Sequence, residues 1–122
     1  MSDIALWTAV VLIGGAGSVL RFLVDGAVGA RLGQGFPYGT LVINLSGAAV
    51  LGLFTGLALP ADAALLAGTA AVGSYTTFST WIFETQRLVE ERQHRLAGLN
   101  LVVSTVFGLA AAYAGWLIGR HW

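Results

Sequence analysis

The 122-residue chain has no cysteine, no lysine, two prolines and only 10% charged residues, against about 25% in a typical soluble domain. Each shortage excludes something. Without cysteine there is no disulfide framework, no thiolate nucleophile and no Cys-ligated zinc. The six basic residues are all arginine and are matched by six acidic ones, for a net charge of +0. The chain therefore lacks the basic patch that neutralises phosphates, and no nucleic-acid partner is expected. His94 and His121 lie in polar or terminal segments and cannot build a metal site by themselves. No nucleophile–base pair can be assembled from the residues left, so no enzyme is expected. Against these absences stand 57% hydrophobic residues, more apolar surface than so few charges can keep in water on a chain this short. What remains is a small integral membrane protein.

A membrane-spanning helix needs about 20 mainly apolar residues, and four stretches qualify. They predict one all-α domain over residues 1–122, with transmembrane helices at about 4–30, 36–59, 62–89 and 95–119. The first stretch has no basic segment before it and is too long for a signal-peptide apolar region, so cleavage is not expected. The separators fit their task. Gly29 to Pro37 carries glycine and proline breakers, Leu59-Pro60-Ala61 is a tight turn with Asp62 placed to cap the next helix, and Glu90 to Arg95 is a polar loop. Trp7, Tyr113, Trp116 and Trp122 lie near segment ends, where amphipathic rings favour the headgroup layer. Four crossings put both termini on one side. Arg31, Arg87, Arg92 and Arg95 flank the loops on the other side, against Arg120 near the termini, so the positive-inside rule favours termini outside. Gly52 with Gly56, and Gly115 with Gly119, are small-xxx-small pairs that allow helix backbones to approach.

Inside the hydrocarbon every polar group needs a partner, so polar clusters within the spans are informative. The strongest is Gly73-Ser74-Tyr75-Thr76-Thr77-Phe78-Ser79-Thr80-Trp81. Hydroxyl side chains can bond back to their own helix and merely bend it. One glycine and five hydroxyls so close together instead predict a break near 73–77, whose freed carbonyls and half-helix ends could bind ions. In the second span Thr40 and Asn44 share a face, and the Asn44 amide either bonds a neighbouring helix or lines a polar path. In the fourth span Asn100, Ser104 and Gly108 share a face that reads as helix–helix glue.

Arg21 stands one turn before Asp25, as a snorkelling pair would. Glu84 is i,i+3 from Arg87, suited to a helix-end ion pair or to a pore vestibule. Phe78 and Trp81 share a face with Thr77. Hydroxyls, an amide and the positive edges of aromatic rings form a mixture suited to an anion. With no Lys or Arg in the walls, such a path attracts an ion weakly enough to release it. The acidic residues Asp3, Asp25, Asp62 and Glu84 all lie toward segment ends, away from where a proton-coupled carrier wants one.

These residues resemble the Fluc (CrcB-type) fluoride channel family along essentially the whole chain. The matching features are Gly14-Gly15-Ala16-Gly17 with Arg21, Gly39-Thr40-Leu41 with Asn44, Gly73 with Thr76-Thr77-Phe78-Ser79-Thr80, then Glu84 and the Asn100/Ser104 face. The resemblance implies four-helix subunits with a broken third helix, assembled as antiparallel, dual-topology dimers in the bacterial plasma membrane. It implies two fluoride pores and a structural sodium ion held by the backbone carbonyls of Gly73 and Thr76 from both subunits. The family's pore positions map to Asn44, Phe78, Trp81 and Ser104, with Thr77 and Thr80 as further donors; its arginine and glutamate map to Arg21 and Glu84.

Three features depart from the family's pattern. Trp81 stands where a phenylalanine is usual and adds an N–H donor. Gly108 stands where a hydroxyl can occur. The arginine asymmetry fits one half of a heterodimer with an oppositely oriented paralogue as well as it fits a homodimer. The expected activity is passive export of fluoride. The rival readings are a small proton-coupled dual-topology multidrug transporter, which would need a central carboxylate, and a non-transporting assembly subunit, which would leave the hydroxyl clusters unexplained.

Overall fold

The structure, a computed structural model, describes all 122 residues, and every regular element in it is helical. Helix α1 (Asp3–Leu32) is 30 residues long, about 45 Å at 1.5 Å per residue and more than enough to cross a bilayer. The Ser2 hydroxyl accepts the Ala5 N–H at 3.2 Å at its start. Gly33 ends it at φ 78, a left-handed conformation that glycine adopts without steric cost. Helix α2 (Tyr38–Leu57) follows. The third helical stretch is composite: α3 (Ala61–Ala64), a π-helical run (Leu65–Val72), α4 (Gly73–Tyr75), and after an interruption α5 (Ser79–Glu90). Helix α6 (His94–Arg120) completes the chain. Helices α1, α2 and α6 are each long and apolar enough to cross a membrane.

Two local expectations are corrected. Asp62 does not cap: Pro60 occupies the N-cap and no side chain bonds the first turn of α3, because Asp62 already lies inside the helix and can supply only a favourable charge there. The polar run Glu90 to Arg95 is not a loop along its length. Only Glu91, Arg92 and Gln93 form the turn, Arg92 adopts φ 59, and Gln93 N–H closes it on Leu88 O at 2.8 Å. The run is polar because it contains two helix ends.

Glycine governs the packing of α2 on α6. A Cβ added at Gly52 would strike the Ala112 carbonyl, one at Gly56 the Trp116 carbonyl, one at Gly115 the Ala49 carbonyl, and one at Gly119 the Leu53 carbonyl. Residue numbers rise together along both helices, so α2 and α6 run parallel, backbone against backbone, as the two small-xxx-small pairs predict. Helix α1 likewise runs parallel to the π-helical run, with Gly14 facing Ala70 and Gly17 facing Ala71 and Ser74.

Only 16 of 122 residues are buried, and the most enclosed side chains are Ile43, Leu88 and Asn100. Large apolar residues such as Ile4, Phe22, Phe83, Val102 and Leu109 point outward. In water this would be an aggregation hazard; in lipid it is the expected surface of a multi-pass membrane protein. At the end bearing the termini, Tyr113 stacks on Trp116 at 5.8 Å and Arg120 lies 4.6 Å over the same indole, an anchor suited to the headgroup layer.

Candidate functional site

The third helical stretch is interrupted after Tyr75, and its last helical bond runs from the Thr76 N–H to Val72 O at 3.0 Å. Thr76 is extended (φ −80, ψ 162), and the helix resumes at Ser79. In an unbroken helix the Thr77 N–H would donate to the Gly73 carbonyl. Here it donates instead to Asn44 Oδ1 at 2.8 Å, while Asn44 Nδ2 donates to the Thr77 carbonyl at 2.7 Å. One primary amide satisfies both backbone polar groups of a residue that would otherwise stand unpaired. Asn44 therefore holds the interruption, and it leaves the Gly73 carbonyl without its helical donor. Gly73 itself stays helical (φ −60, ψ −38), so the interruption lies at 76–78.

The hydroxyl string divides its work. Ser74 and Thr76 bond back toward the helix that precedes, to Ala70 O at 2.6 Å and Val72 O at 2.9 Å. Thr77 bonds toward the helix that follows: its Oγ1 accepts the Thr80 N–H at 3.2 Å, satisfying a first-turn donor of α5, and donates to Thr80 Oγ1 at 3.1 Å. Two glycines bring the neighbouring helices against this region: a Cβ at Gly17 would overlap Ser74, and one at Gly47 would overlap Thr76.

Between α2, α6 and the interruption lies a cleft of about 460 Å³ that Asn44, Thr77, Phe78, Trp81, Ser104 and Gly108 all line. Phe78 and Trp81 meet edge to face, with centroids 5.6 Å apart and planes at 77°, the arrangement that presents positive ring edges. The cleft is open on one side, and Phe78 is 71% exposed. Five of the six residues expected to line a pore thus share one cleft. Thr80 does not: it lines a second recess of about 250 Å³ with Arg21, Asp25 and Thr40, and Thr77 lines both. The hydroxyls of Thr77 and Thr80 connect the two.

The expected partners of the charged residues are revised. Arg21 makes no ion pair with Asp25; its guanidinium reaches across to the Thr76 carbonyl at 3.4 Å. One helical turn sets α-carbons close, but the Arg21 side chain follows the path toward the freed carbonyl. Glu84 does not pair with Arg87. It accepts a short hydrogen bond from Thr40 Oγ1, while Arg87 Nε lies 3.8 Å from Glu91. Asn100 is separated from Ser104 in role. It is 1% exposed, its Nδ2 donates to Thr85 Oγ1 at 2.8 Å, and it does not line the cleft that Ser104 lines. Asn100 is glue between α5 and α6.

Contacts that residue types and spacing did not foretell include Thr85 as the partner of Asn100 and Ser46 with Tyr75 at 2.9 Å. A third is the bond from Trp81 Nε1 to the Asn100 carbonyl at 3.1 Å. The indole N–H, the extra donor at this position, is spent on α6. Nothing in the local sequence marks it, because its acceptor is a backbone carbonyl.

The geometry can be set beside known proteins. The sequence model of a family described as CrcB-like protein, Camphor Resistance (CrcB), matches residues 8–116. A relative from Mycolicibacterium paratuberculosis named "Fluoride-specific ion channel FluC 2" is 66% identical over 115 residues, 94% of either chain. One of the same name from Mycobacterium bovis is 64% identical over 117 residues, covering 96% of this chain and 93% of its own. A "Fluoride-specific ion channel FluC 1" from Leifsonia xyli subsp. xyli is 44% identical over 116 residues, covering 91% of this chain and 85% of its own. Matched along nearly its whole length by both the family and its members, the chain belongs to the CrcB family.

Proposed function

We propose that the protein is a fluoride-selective channel subunit that lets fluoride leave the cytoplasm passively. The observation that carries this is the single cleft where the Asn44 amide, Thr77 and Ser104 hydroxyls and the edge-to-face pair Phe78–Trp81 converge. The printed names of the relatives point the same way. Hydrogen fluoride crosses lipid uncharged and dissociates near neutral pH, which traps the anion inside. Fluoride is small and strongly hydrated, so its entry into a narrow path must be offset by close neutral donors and by ring edges. A larger halide would meet the same donors at poorer geometry. A proton-coupled carrier would want a carboxylate deep in the path, and Glu84 instead stands at one end, bonded to Thr40.

The single-chain cleft lacks one wall, and a second copy in the opposite orientation would supply it. That arrangement, a dual-topology dimer with two pores, also pairs two interruptions face to face. A sodium ion would fit there. The Gly73 carbonyl has lost its helical donor to Asn44, and Thr76 O receives only the long bond from Arg21. These are hard, neutral oxygens of the kind a small cation accepts, and two per chain make four in a dimer. The ion would place positive charge near paths whose walls carry little. Replacing sodium with N-methyl-D-glucamine throughout purification is therefore expected to lower the thermal stability of the dimer, read by size-exclusion after heating. An unchanged melting profile would remove sodium from the proposal.

Relatives named FluC 1 and FluC 2, together with the arginine-rich loop side, also support a heterodimer with an oppositely oriented paralogue. Purified protein reconstituted alone distinguishes the two, since a homodimer conducts and an obligate heterodimer stays silent until the paralogue is added. In the conducting form, Phe78→Ile is expected to lower fluoride efflux about tenfold, the loss of roughly one edge contact, with a normal elution profile. Equal fluoride and chloride efflux from the parent protein would sink the fluoride assignment.

A further inference from the structure

Most hydroxyl groups on these helices bond back to their own backbone; Thr40, which donates to Glu84, and Thr69 and Ser104, whose hydroxyls make no hydrogen bond, do not. Thr55, Thr85 and Thr105 each bond back to the carbonyl four residues earlier, at 2.9, 2.8 and 2.8 Å. This is the default for Ser and Thr in a membrane helix, because no water competes for the hydroxyl. Thr105 does so from the same cleft, onto the Leu101 carbonyl, whose second lone pair no other side chain takes. Ser104, the adjacent residue on the same helix, makes no hydrogen bond. Its carbonyl four residues earlier is that of Asn100, and Trp81 Nε1 already donates to it at 3.1 Å.

A peptide carbonyl has two lone pairs. Within α6 one of them serves the helical N–H of Ser104 itself. The other is contested by the Trp81 indole and the Ser104 hydroxyl, and the indole holds it. We infer that Trp81 sets the donor count of the anion path indirectly: by occupying the Asn100 carbonyl, its indole N–H releases the Ser104 hydroxyl into the cleft as a donor for fluoride. Trp81 thereby contributes a ring edge and, through Ser104, a hydrogen bond, although its own N–H never points at the ion. With phenylalanine at position 81, the carbonyl is vacant, the Ser104 hydroxyl turns back onto its own helix as Thr105 does, and the path loses a donor without losing a hydroxyl residue.

This inference rests on the fluoride-channel reading, and its test separates the two. Fluoride efflux from liposomes is measured for the parent, Trp81→Phe, Ser104→Ala and the double variant. In the parent background Ser104→Ala is expected to slow efflux about tenfold, the worth of one hydrogen bond to an ion. In the Trp81→Phe background the same substitution is expected to change efflux less than about twofold, because the hydroxyl is already withdrawn. An equal fold-change in both backgrounds, with a conducting parent, overturns the coupling and leaves the channel intact. A parent that passes no fluoride, alone or with its paralogue, overturns the channel reading itself. A second measurement does not depend on Trp81→Phe assembling. In the parent and in Ser104→Ala, the Trp81 indole N–H, observed by ¹H–¹⁵N NMR with the other three tryptophans replaced by phenylalanine, is expected to be downfield and slow to exchange. A rapidly exchanging indole in both proteins overturns the tether on which the inference stands.

Discussion

Asn44→Ala is expected to abolish measurable fluoride efflux, a loss of at least about 100-fold. Alanine strands the N–H and the carbonyl of Thr77, each an unpaired peptide group costing about 1–3 kcal/mol when buried, and each 1.4 kcal/mol is roughly a factor of ten. The two groups then have an alternative. The Thr77 N–H can return to the Gly73 carbonyl, as helical geometry prefers, which would straighten the third helical stretch and withdraw both Thr77 and the freed carbonyl from the site. Stopped-flow or electrode-recorded efflux from liposomes checks the rate, and size-exclusion chromatography establishes that the protein still assembles. Normal efflux from assembled Asn44→Ala protein would mean that the interruption holds itself open without the amide pair at 2.8 and 2.7 Å.

The second large effect concerns assembly of the subunit. Gly115→Val is expected to lower the melting temperature by at least about 10 °C, the consequence of roughly 2–3 kcal/mol of overpacking. The position gives no room: a Cβ there meets the Ala49 carbonyl and, at 2.9 Å, both the Ala49 carbonyl carbon and the Leu53 nitrogen. All three are backbone atoms that no rotamer change can move aside. Gly98→Ala on the same helix is the control. A Cβ there has nothing within 4 Å, and alanine in a helix gains about 0.5–1 kcal/mol over glycine, so this variant is expected to melt at or slightly above the parent. Fluorescence-detected size-exclusion after heating measures both. Equal melting of Gly115→Val and the parent would place α2 and α6 farther apart than their backbones lie here.

Part of the site is legible because its chemistry is local. A hydroxyl string amid apolar residues identifies the interruption, and an amide at the same depth identifies a partner, since neither is affordable in hydrocarbon without a bonding duty. Asn44, Thr77, Phe78, Trp81 and Ser104 come together in one cleft, and helical spacing with the motif resemblance suffices to nominate all five. Spacing was misleading where it implied pairs along one helix. Arg21 with Asp25 and Glu84 with Arg87 are neighbours by sequence offset, yet each long side chain finds its partner on another element: Arg21 at Thr76 O and Glu84 at Thr40. An offset states which side chains are near one another on a cylinder, not which polar group a second cylinder brings closer. Asn100 and Ser104 show the same limit in reverse. They are one turn apart, and α5 takes Asn100 into the protein while Ser104 stays at the cleft.

Composition, hydrophobic run length and polar clusters were thus enough to establish a helical membrane protein and the polar clusters set within its apolar stretches. Those properties follow from the solvent, because lipid penalises every unpaired polar group wherever the helices happen to stand. Which donor meets which acceptor was settled by packing. The Asn44–Thr77 amide pair, the Trp81 N–H on the Asn100 carbonyl and the unbound Ser104 hydroxyl depend on a few ångströms of approach between helices that glycines allow. Each of these bonds has a backbone N–H or carbonyl as one partner, and a backbone group carries no side-chain signature from which its partner could be read.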